Sequence, residues 1–131
     1  MVAARGDQNL LFAFLGSVLG TVIGVLPGVG PVAGVAMLIP LTFQMNPTGA
    51  IIMLCAIYYG AMYGGTITSV LLNVPGEAAS VITCIDGHAM AKQGRGGTAL
   101  GVAAIGSFVG GIFATVALVV VAVPLSTLAL K

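Results

Sequence analysis

The stretch that decides the fold is Gly24-Val25-Leu26-Pro27-Gly28-Val29-Gly30-Pro31-Val32-Ala33-Gly34, a helix breaker set inside apolar sequence. Two prolines and two glycines fall within the five residues 27–31, with no charged side chain near them. Proline removes a backbone donor and glycine loosens the chain, so we expect no continuous helix through this point. Both flanks are apolar enough for lipid, so the backbone groups that the break leaves without helical partners must lie within protein or line a cavity. The stretch therefore indicates a functional feature.

The composition is that of an integral membrane protein. The chain has 131 residues, of which 59% are hydrophobic and 5% charged, whereas roughly a quarter are charged in an average soluble domain. No Asp, Glu, Lys or Arg occurs from Gln8 to Gly76 or from Gly96 to Leu130. A hydrocarbon core needs about 20 apolar residues per helix, so we predict an all-α protein with several transmembrane helices in the lipid bilayer. The net charge of +1 argues against a nucleic-acid partner.

The sequence before the first polar turn predicts one full span and one half-helix. Leu10 to Leu26 can cross, and its stripe of small residues predicts a packing seam with another helix. The stripe consists of Gly16, Gly20 and Gly24. After the break, Val32 to Phe43 is too short to cross at about 1.5 Å per residue. We expect a half-helix there, kinked at Pro40 and followed by the polar turn Gln44-Met45-Asn46-Pro47.

The next span, Thr48 to Tyr63, carries all three tyrosines of the chain. Two readings of Tyr59 and Tyr63 stay open: anchoring at the membrane interface, or one wall of a cavity, because they share a helical face beside glycines. Two readings also stay open for the hydroxyls of Thr66 and Ser69. They either bond back to their own helix or face a polar path.

A second break, Asn73-Val-Pro-Gly-Glu-Ala-Ala-Ser80, has the form of the first but adds a carboxylate at Glu77. Beyond it we predict a polar hairpin from Asp86 to Gly96, with a turn at Asp86-Gly87 and a short helix that stops at Gly94.

The last predicted span runs from Thr98 to Val123 and is ended by Pro124. Gly106 and Gly110 give it a further packing face. Lys92 and Arg95 precede this span, and cytoplasmic loops favour Lys and Arg, so we place the polar hairpin inside the cell.

The two breaks are the candidate site. A half-helix N-terminus offers free N–H groups and a positive dipole end, which suit a carboxylate. Gly28, Gly30 and Gly76 would let a ligand reach the backbone, and the apolar spans hold no Lys or Arg that could do so instead. The alternative is a structural membrane subunit whose breaks serve packing only. Glu77 either binds a coupling cation or proton, or caps the helix that it starts.

Other chemistries fit the residues poorly. The spacing Gly28-x-Gly30-x-x-x-Gly34 is wrong for a dinucleotide fingerprint, and no strand precedes it. Glu77, Asp86 and His88 are barely a metal or acid–base set, so we predict neither an enzyme nor a metal site. Cys55 and Cys84 are far apart in apolar surroundings and are predicted to be small buried hydrophobes. No cofactor is expected.

Four segments together resemble the large permease subunit of the bacterial tripartite tricarboxylate transporters, the TctA-like proteins. They are Gly24-Val-Leu-Pro-Gly-Val-Gly-Pro31, Ile57-Tyr-Tyr-Gly-Ala-Met-Tyr-Gly-Gly65, Leu72-Asn-Val-Pro-Gly-Glu-Ala-Ala-Ser80 and Ile85-Asp-Gly-His-Ala-Met-Ala-Lys-Gln-Gly-Arg95. The resemblance implies a multi-pass secondary transporter of the bacterial inner membrane that takes up tricarboxylates such as citrate, driven by Na+ or H+. It further implies two partners, a small membrane subunit and an extracytoplasmic solute-binding protein.

The resemblance also implies that residues 1–131 are a partial permease domain, the N-terminal part of the first of two related halves. It places Pro27, Gly28, Gly30 and Pro31 in the substrate region. The full candidate set for substrate binding is Pro27, Gly28, Gly30, Pro31, Tyr59, Tyr63, Asn73, Pro75 and Gly76. The candidates for the coupling ion are Glu77, Thr66 and Ser69.

Overall fold

The computed structural model describes residues 2–129, with the side chains of residues 6–122 and 124–126, and every regular element in this range is helical. The elements are α1 (Val2–Gly24), α2 (Gly30–Leu38), a 3₁₀ turn (Ile39–Thr42), α3 (Pro47–Leu72), a 3₁₀ turn (Ala78–Ser80), α4 (Val81–Lys92) and α5 (Gly96–Ala129). The chain divides into two compact units, one up to Leu100 and one from Gly101 onward. The predicted all-α architecture is confirmed.

Three of the described helices are long and apolar enough to cross a membrane. They are Gly6–Gly24, Pro47–Leu72 and Gly96–Ala122. The predicted spans therefore exist, and the breaks lie where the Pro-Gly pairs predicted them, between α1 and α2 and between α3 and the second 3₁₀ turn.

The first unit is built on a close pairing of α1 with α3 through the predicted glycine seam. A Cβ added at Gly16 would lie 2.7 Å from the carbonyl oxygen of Met53, and one at Gly20 or Gly24 would overlap backbone of α3. The contacts advance together along both helices, with Gly20 beside Ile57 and Gly24 beside Ala61, so α1 and α3 run parallel. Such backbone-to-backbone packing is how small residues hold helices together in lipid.

The half-helix α2 supplies the return path between these two parallel helices. Gly34 of α2 packs against Ile23 of α1, where an added Cβ would lie 3.2 Å from its Cγ2, and also faces Ala61 of α3. At Pro40 the helix changes to a 3₁₀ turn, as the predicted kink required. The chain thereby returns to the level of Asn9 and Phe12 of α1 before α3 begins.

Helix α3 is longer than the predicted span, because it continues past Tyr63 to Leu72. Its start is fixed by Asn46, whose Oδ1 accepts a hydrogen bond from the Gly49 N–H at 2.7 Å. The neighbouring glycines 64 and 65 do not end the helix. Gly64 is buried against Thr21 and Gly24 of α1, so the packing that needs a missing side chain also holds the backbone helical.

The predicted turn at Asp86-Gly87 is wrong, because α4 runs through both residues to Lys92. Gly87 is buried against α3, so its missing side chain serves close packing and not a turn. The predicted stop is confirmed, since Gly94 has φ +76° in the left-handed region and Gln93–Arg95 forms the connection to α5.

The second unit continues α5, which passes through Pro124 and reaches Ala129, so the predicted end at Pro124 is also wrong. A transmembrane helix tolerates proline because ending the helix in lipid would leave several backbone groups without hydrogen bonds, whereas proline removes only one hydrogen bond. The packing face at Gly106 and Gly110 stays a prediction.

The prediction for the two cysteines holds only in part. Cys55 is exposed on α3 and Cys84 is half-buried on α4, and both are free thiols. Burial was therefore wrong for Cys55. In lipid an exposed thiol on a helix costs little, because a cysteine behaves as a small hydrophobe.

Candidate functional site

The two helix breaks meet at one place in the first unit, beside Gly65 of α3. A Cβ added at Gly30 would lie 3.6 Å from the carbonyl oxygen of Gly76. One added at Gly65 would lie 3.2 Å from the Cα of Gly76, and one at Gly76 would overlap the Cα of Gly65. We call these three residues, Gly30, Gly65 and Gly76, the glycine junction. Three separate segments thus come together with backbone against backbone.

The junction lies inside the length of α3 and not at its end. Gly65 is seven residues before Leu72, the last residue of α3, which corresponds to about 10 Å along the helix axis. The chain after Leu72 must therefore fold back along α3 to bring Gly76 to this level before α4 starts. The second break therefore turns back along α3, and irregular backbone beside an apolar helix requires burial or a cavity.

The first break keeps its shape through local turns and glycine conformation. Three turn hydrogen bonds follow the end of α1: Val25 N–H to Thr21 O at 3.0 Å, Leu26 N–H to Ile23 O at 2.9 Å and Val29 N–H to Leu26 O at 3.2 Å. Gly28 and Gly30 have φ values of +84° and +67°, which L side chains rarely adopt. Pro31 then occupies the first turn of α2 and is buried, whereas Pro27 is exposed. Among the described residues, glycine at 28 is explained by its backbone conformation alone, because a Cβ there would meet none of their atoms within 4 Å.

The second break begins at Asn73, the described non-glycine residue with positive φ, at +58°. Its backbone N–H bonds the carbonyl of Thr68, and the N–H of Val74 bonds the same carbonyl at 3.4 Å. This left-handed cap ends α3 and turns the chain back toward the junction. Pro75 follows, exposed and without a backbone donor, and Gly76 is half-buried.

Glu77 occupies the N-cap position of the turn that leads into α4. The hydroxyl of Ser80 accepts a hydrogen bond from the Glu77 N–H at 3.2 Å and donates one to the Glu77 carbonyl at 2.9 Å, in a capping-box arrangement. Partial burial raises the pKa of the Glu77 carboxyl above its ordinary value, because desolvation penalises the charged form. Glu77 is therefore at the capping position, next to Gly76 and with a perturbed carboxyl.

The hydroxyl candidates on α3 bond back to their own helix. Thr66 Oγ1 donates to the Met62 carbonyl at 3.2 Å, and Ser69 Oγ donates to the Gly65 carbonyl at 2.7 Å. The carbonyl of Gly65 also accepts from Thr68 Oγ1 at 2.9 Å. Of the two readings given for these hydroxyls, bonding back to the same helix is the one observed. Two of the three bonds, those of Thr68 and Ser69, go to the carbonyl of Gly65.

The tyrosine candidates differ in their surroundings. Tyr63 is half-buried, and its hydroxyl donates to the carbonyl of Leu100 at 3.3 Å, so it joins α3 to the first turns of α5. Tyr59 is 52% exposed. The site thus brings together Gly30 and Gly76 from the candidate set, whereas Tyr63 is engaged with another helix.

Sequence reasoning missed Gly65 as a member of the site. Its signal was the pair Gly64-Gly65 in the middle of an apolar helix, where glycine costs about 1 kcal/mol relative to alanine and needs a packing reason. No group of three His, Cys, Asp or Glu side chains among the described residues is arranged to hold a metal ion. Glu77, Asp86 and His88 therefore do not form such a set.

A membrane protein with several spans, in which two broken helices meet, has the architecture in which secondary transporters build their substrate sites. The comparison with known families agrees with this class: residues 10–131 match the tripartite tricarboxylate transporter TctA family, and the chain belongs to that family. It is also 53% identical over 123 residues to a protein of Agrobacterium vitis described as an uncharacterized 52.8 kDa protein in the TAR-I ttuC' 3' region. The match covers 94% of this chain and 24% of that relative. No solved structure matches the chain.

Proposed function

We propose that this chain is the N-terminal part of the large permease subunit of a tripartite tricarboxylate transporter, within the first of two related halves. The complete subunit takes up tricarboxylates or related carboxylates across the bacterial inner membrane, coupled to Na+ or H+. Membership of the TctA family supports the transporter class. The chain spans about a quarter of the length of the curated relative described above.

The substrate site of this proposal is the glycine junction, and the observation that carries it is the meeting of Gly30 with Gly76. Helix α2 starts at Gly30, and the 3₁₀ turn that leads into α4 starts at Ala78, two residues after Gly76. The N-terminal N–H groups and the positive dipole end of α2 therefore lie at the junction, and those of the turn before α4 lie close to it. Backbone donors at such ends bind carboxylates without a basic side chain. This suits a chain that has no Lys or Arg between Gln8 and Gly76.

The remaining candidates take supporting roles in the proposal. Tyr59, Tyr63 and Asn73 border the substrate, and Glu77 with Thr66 and Ser69 contributes to the site of the coupling cation. An ionisable group beside a backbone break is the usual mark of such a role in membrane proteins. The solute-binding protein delivers the carboxylate from outside the membrane, and the small membrane subunit completes the complex. The Lys92–Arg95 connection lies on the cytoplasmic side.

Uptake of labelled citrate by proteoliposomes that contain the complete transporter tests the proposal. Gly28→Leu and Gly76→Leu should abolish uptake while insertion stays normal. Gly101→Leu serves as the control, because a Cβ added at Gly101 would meet no described atom within 4 Å. Gly28→Leu is the more specific of the two, since Gly28 has equally open surroundings and only its positive φ resists the change. Normal uptake in both variants would remove the breaks from the site and favour a structural membrane subunit.

A further inference from the structure

His88 of α4 satisfies a backbone group at the end of α3. Its Nδ1 lies 3.0 Å from the carbonyl oxygen of Val70. The last four carbonyls of an α-helix have no partner within the helix, and Val70 is among them. The N–H groups of Asn73 and Val74, which follow the helix, both bond the carbonyl of Thr68 instead. Because a carbonyl only accepts, Nδ1 carries the proton in this contact.

The residue before His88 fits the same place sterically. Gly87 is buried, and a Cβ added to it would lie 2.9 Å from Cγ2 of Val70. Val70 itself is 0% exposed. We call Val70, Gly87 and His88 the Val70 clasp. The missing side chain of Gly87 lets α4 pack closely against Val70 of α3, and the hydrogen bond of His88 lies next to this contact.

The clasp and the glycine junction fix the segment after α3 to that helix at two points. Gly76 rests on Gly65, and Gly87 with His88 rests on Val70, five residues further along α3 and so about 7.5 Å along its axis. The segment between these points contains the start of α4. Loosening the contact at Val70 therefore loosens α4, whose start at Val81 follows Gly76 by five residues.

We infer that His88 is a positioning residue, which holds the second broken helix against the junction through its Nδ1–H bond to Val70. The inference rests on the proposed function only for its effect on transport. His88 does not touch the substrate in this account. Its contribution is the net effect of one hydrogen bond to the Val70 carbonyl, a factor of about two to ten in an equilibrium.

Two amide substitutions separate the role of Nδ1 from that of the ring as a whole. The amide nitrogen of Asn takes the place of Nδ1, whereas that of Gln takes the place of Nε2. In the complete transporter, His88→Ala and His88→Gln should raise the KM for citrate uptake about two- to tenfold, and His88→Asn should restore it to near the wild-type value. The amount of inserted protein is measured for each variant.

A second measurement reports on α4 without any substrate. Cys84 is a half-buried thiol on α4, so its rate of maleimide labelling follows the local opening of that helix. In a background where Cys55 and the other cysteines of the complete protein are replaced by Ser, labelling of Cys84 should accelerate about two- to tenfold in His88→Ala and His88→Gln but not in His88→Asn.

The two readouts distinguish failure of this inference from failure of the proposed function. Unchanged labelling in His88→Ala, or equal restoration by Gln and Asn, overturns the clasp whatever happens to uptake. Faster labelling with an unchanged KM supports the clasp as a structural contact but overturns its role in transport, and counts against a substrate site at the junction. Faster labelling with a higher KM, both reversed by Asn alone, is the expected result.

Discussion

Replacing Gly76 by Ala is the sharpest test of the glycine junction. The added Cβ overlaps the Cα of Gly65, and both partners are backbone, so no side chain can rotate away. Forcing atoms into a packed contact costs typically about 1–3 kcal/mol. If that cost falls on the arrangement that binds substrate, carboxylate affinity should drop between about 5- and 150-fold. The upper end is expected, because the two backbones must separate.

The matched variant is Gly65→Ala, which adds the same methyl group to the other side of the same contact. Its Cβ would lie 3.2 Å from the Cα of Gly76, so a shift of a few tenths of an ångström relieves it. Ala also favours the helix at this position by about 1 kcal/mol relative to Gly. The loss of affinity should therefore be smaller than for Gly76→Ala. Gly101→Ala, in open space, should leave affinity unchanged.

The assay is citrate binding to the purified complete transporter by calorimetry, with the KM of uptake in proteoliposomes as a second measure. The reasoning is refuted if Gly76→Ala binds citrate as tightly as the wild type. It is also refuted if Gly65→Ala lowers the affinity more than Gly76→Ala, because the Cβ added at Gly76 makes the closer contact.

Three further predictions concern the seam, a cap and the carboxylate. Gly20→Ala should destabilise the transporter by about 1–3 kcal/mol through overlap with Ile57, lowering its melting temperature while Gly101→Ala does not; an unchanged melting temperature contradicts the seam. Asn46→Ala should cost about 1 kcal/mol and speed hydrogen exchange in the first turn of α3, with Asn46→Asp as the capping control; equal exchange in both variants contradicts the cap. Burial raises the pKa of Glu77, so protonation of this carboxyl stabilises the folded protein at low pH. This contribution to the free energy of unfolding is lost as the pH rises through the pKa of Glu77 in the folded protein. Glu77→Gln should therefore flatten that part of the profile of melting temperature against pH and change the cation or pH dependence of uptake, whereas unchanged uptake behaviour would assign Glu77 to capping alone.

The sequence predicted the breaks well but the ends of helices less well. Pro-Gly pairs act locally, so their positions were readable, and α1 ends and α2 begins around Pro27–Pro31 as expected. Asp86-Gly87 was read as a turn because that dipeptide commonly forms one. Burial of Gly87 against Val70 keeps α4 helical there, and no local pattern encodes that contact.

The membrane environment explains the other misplaced helix ends. Pro124 and the glycine pair 64–65 would end or weaken a helix in water, where water can bond the freed backbone groups. In lipid those groups have no such partner, so the helical state persists through both places. The rule that proline and glycine end a helix comes from soluble proteins, and it overestimates their effect in a membrane helix.

The sequence by itself determined the membrane class, the presence of several apolar spans and the two broken helices, because composition and Pro-Gly chemistry act within a few residues. Only the tertiary structure decided that the breaks meet at Gly65 and that α1 runs parallel to α3. The approach of Gly30 to Gly76 depends on the register of α1 against α3, which small residues far apart in the chain set by close packing. Such a register is a property of two surfaces together, so neither helix alone specifies it.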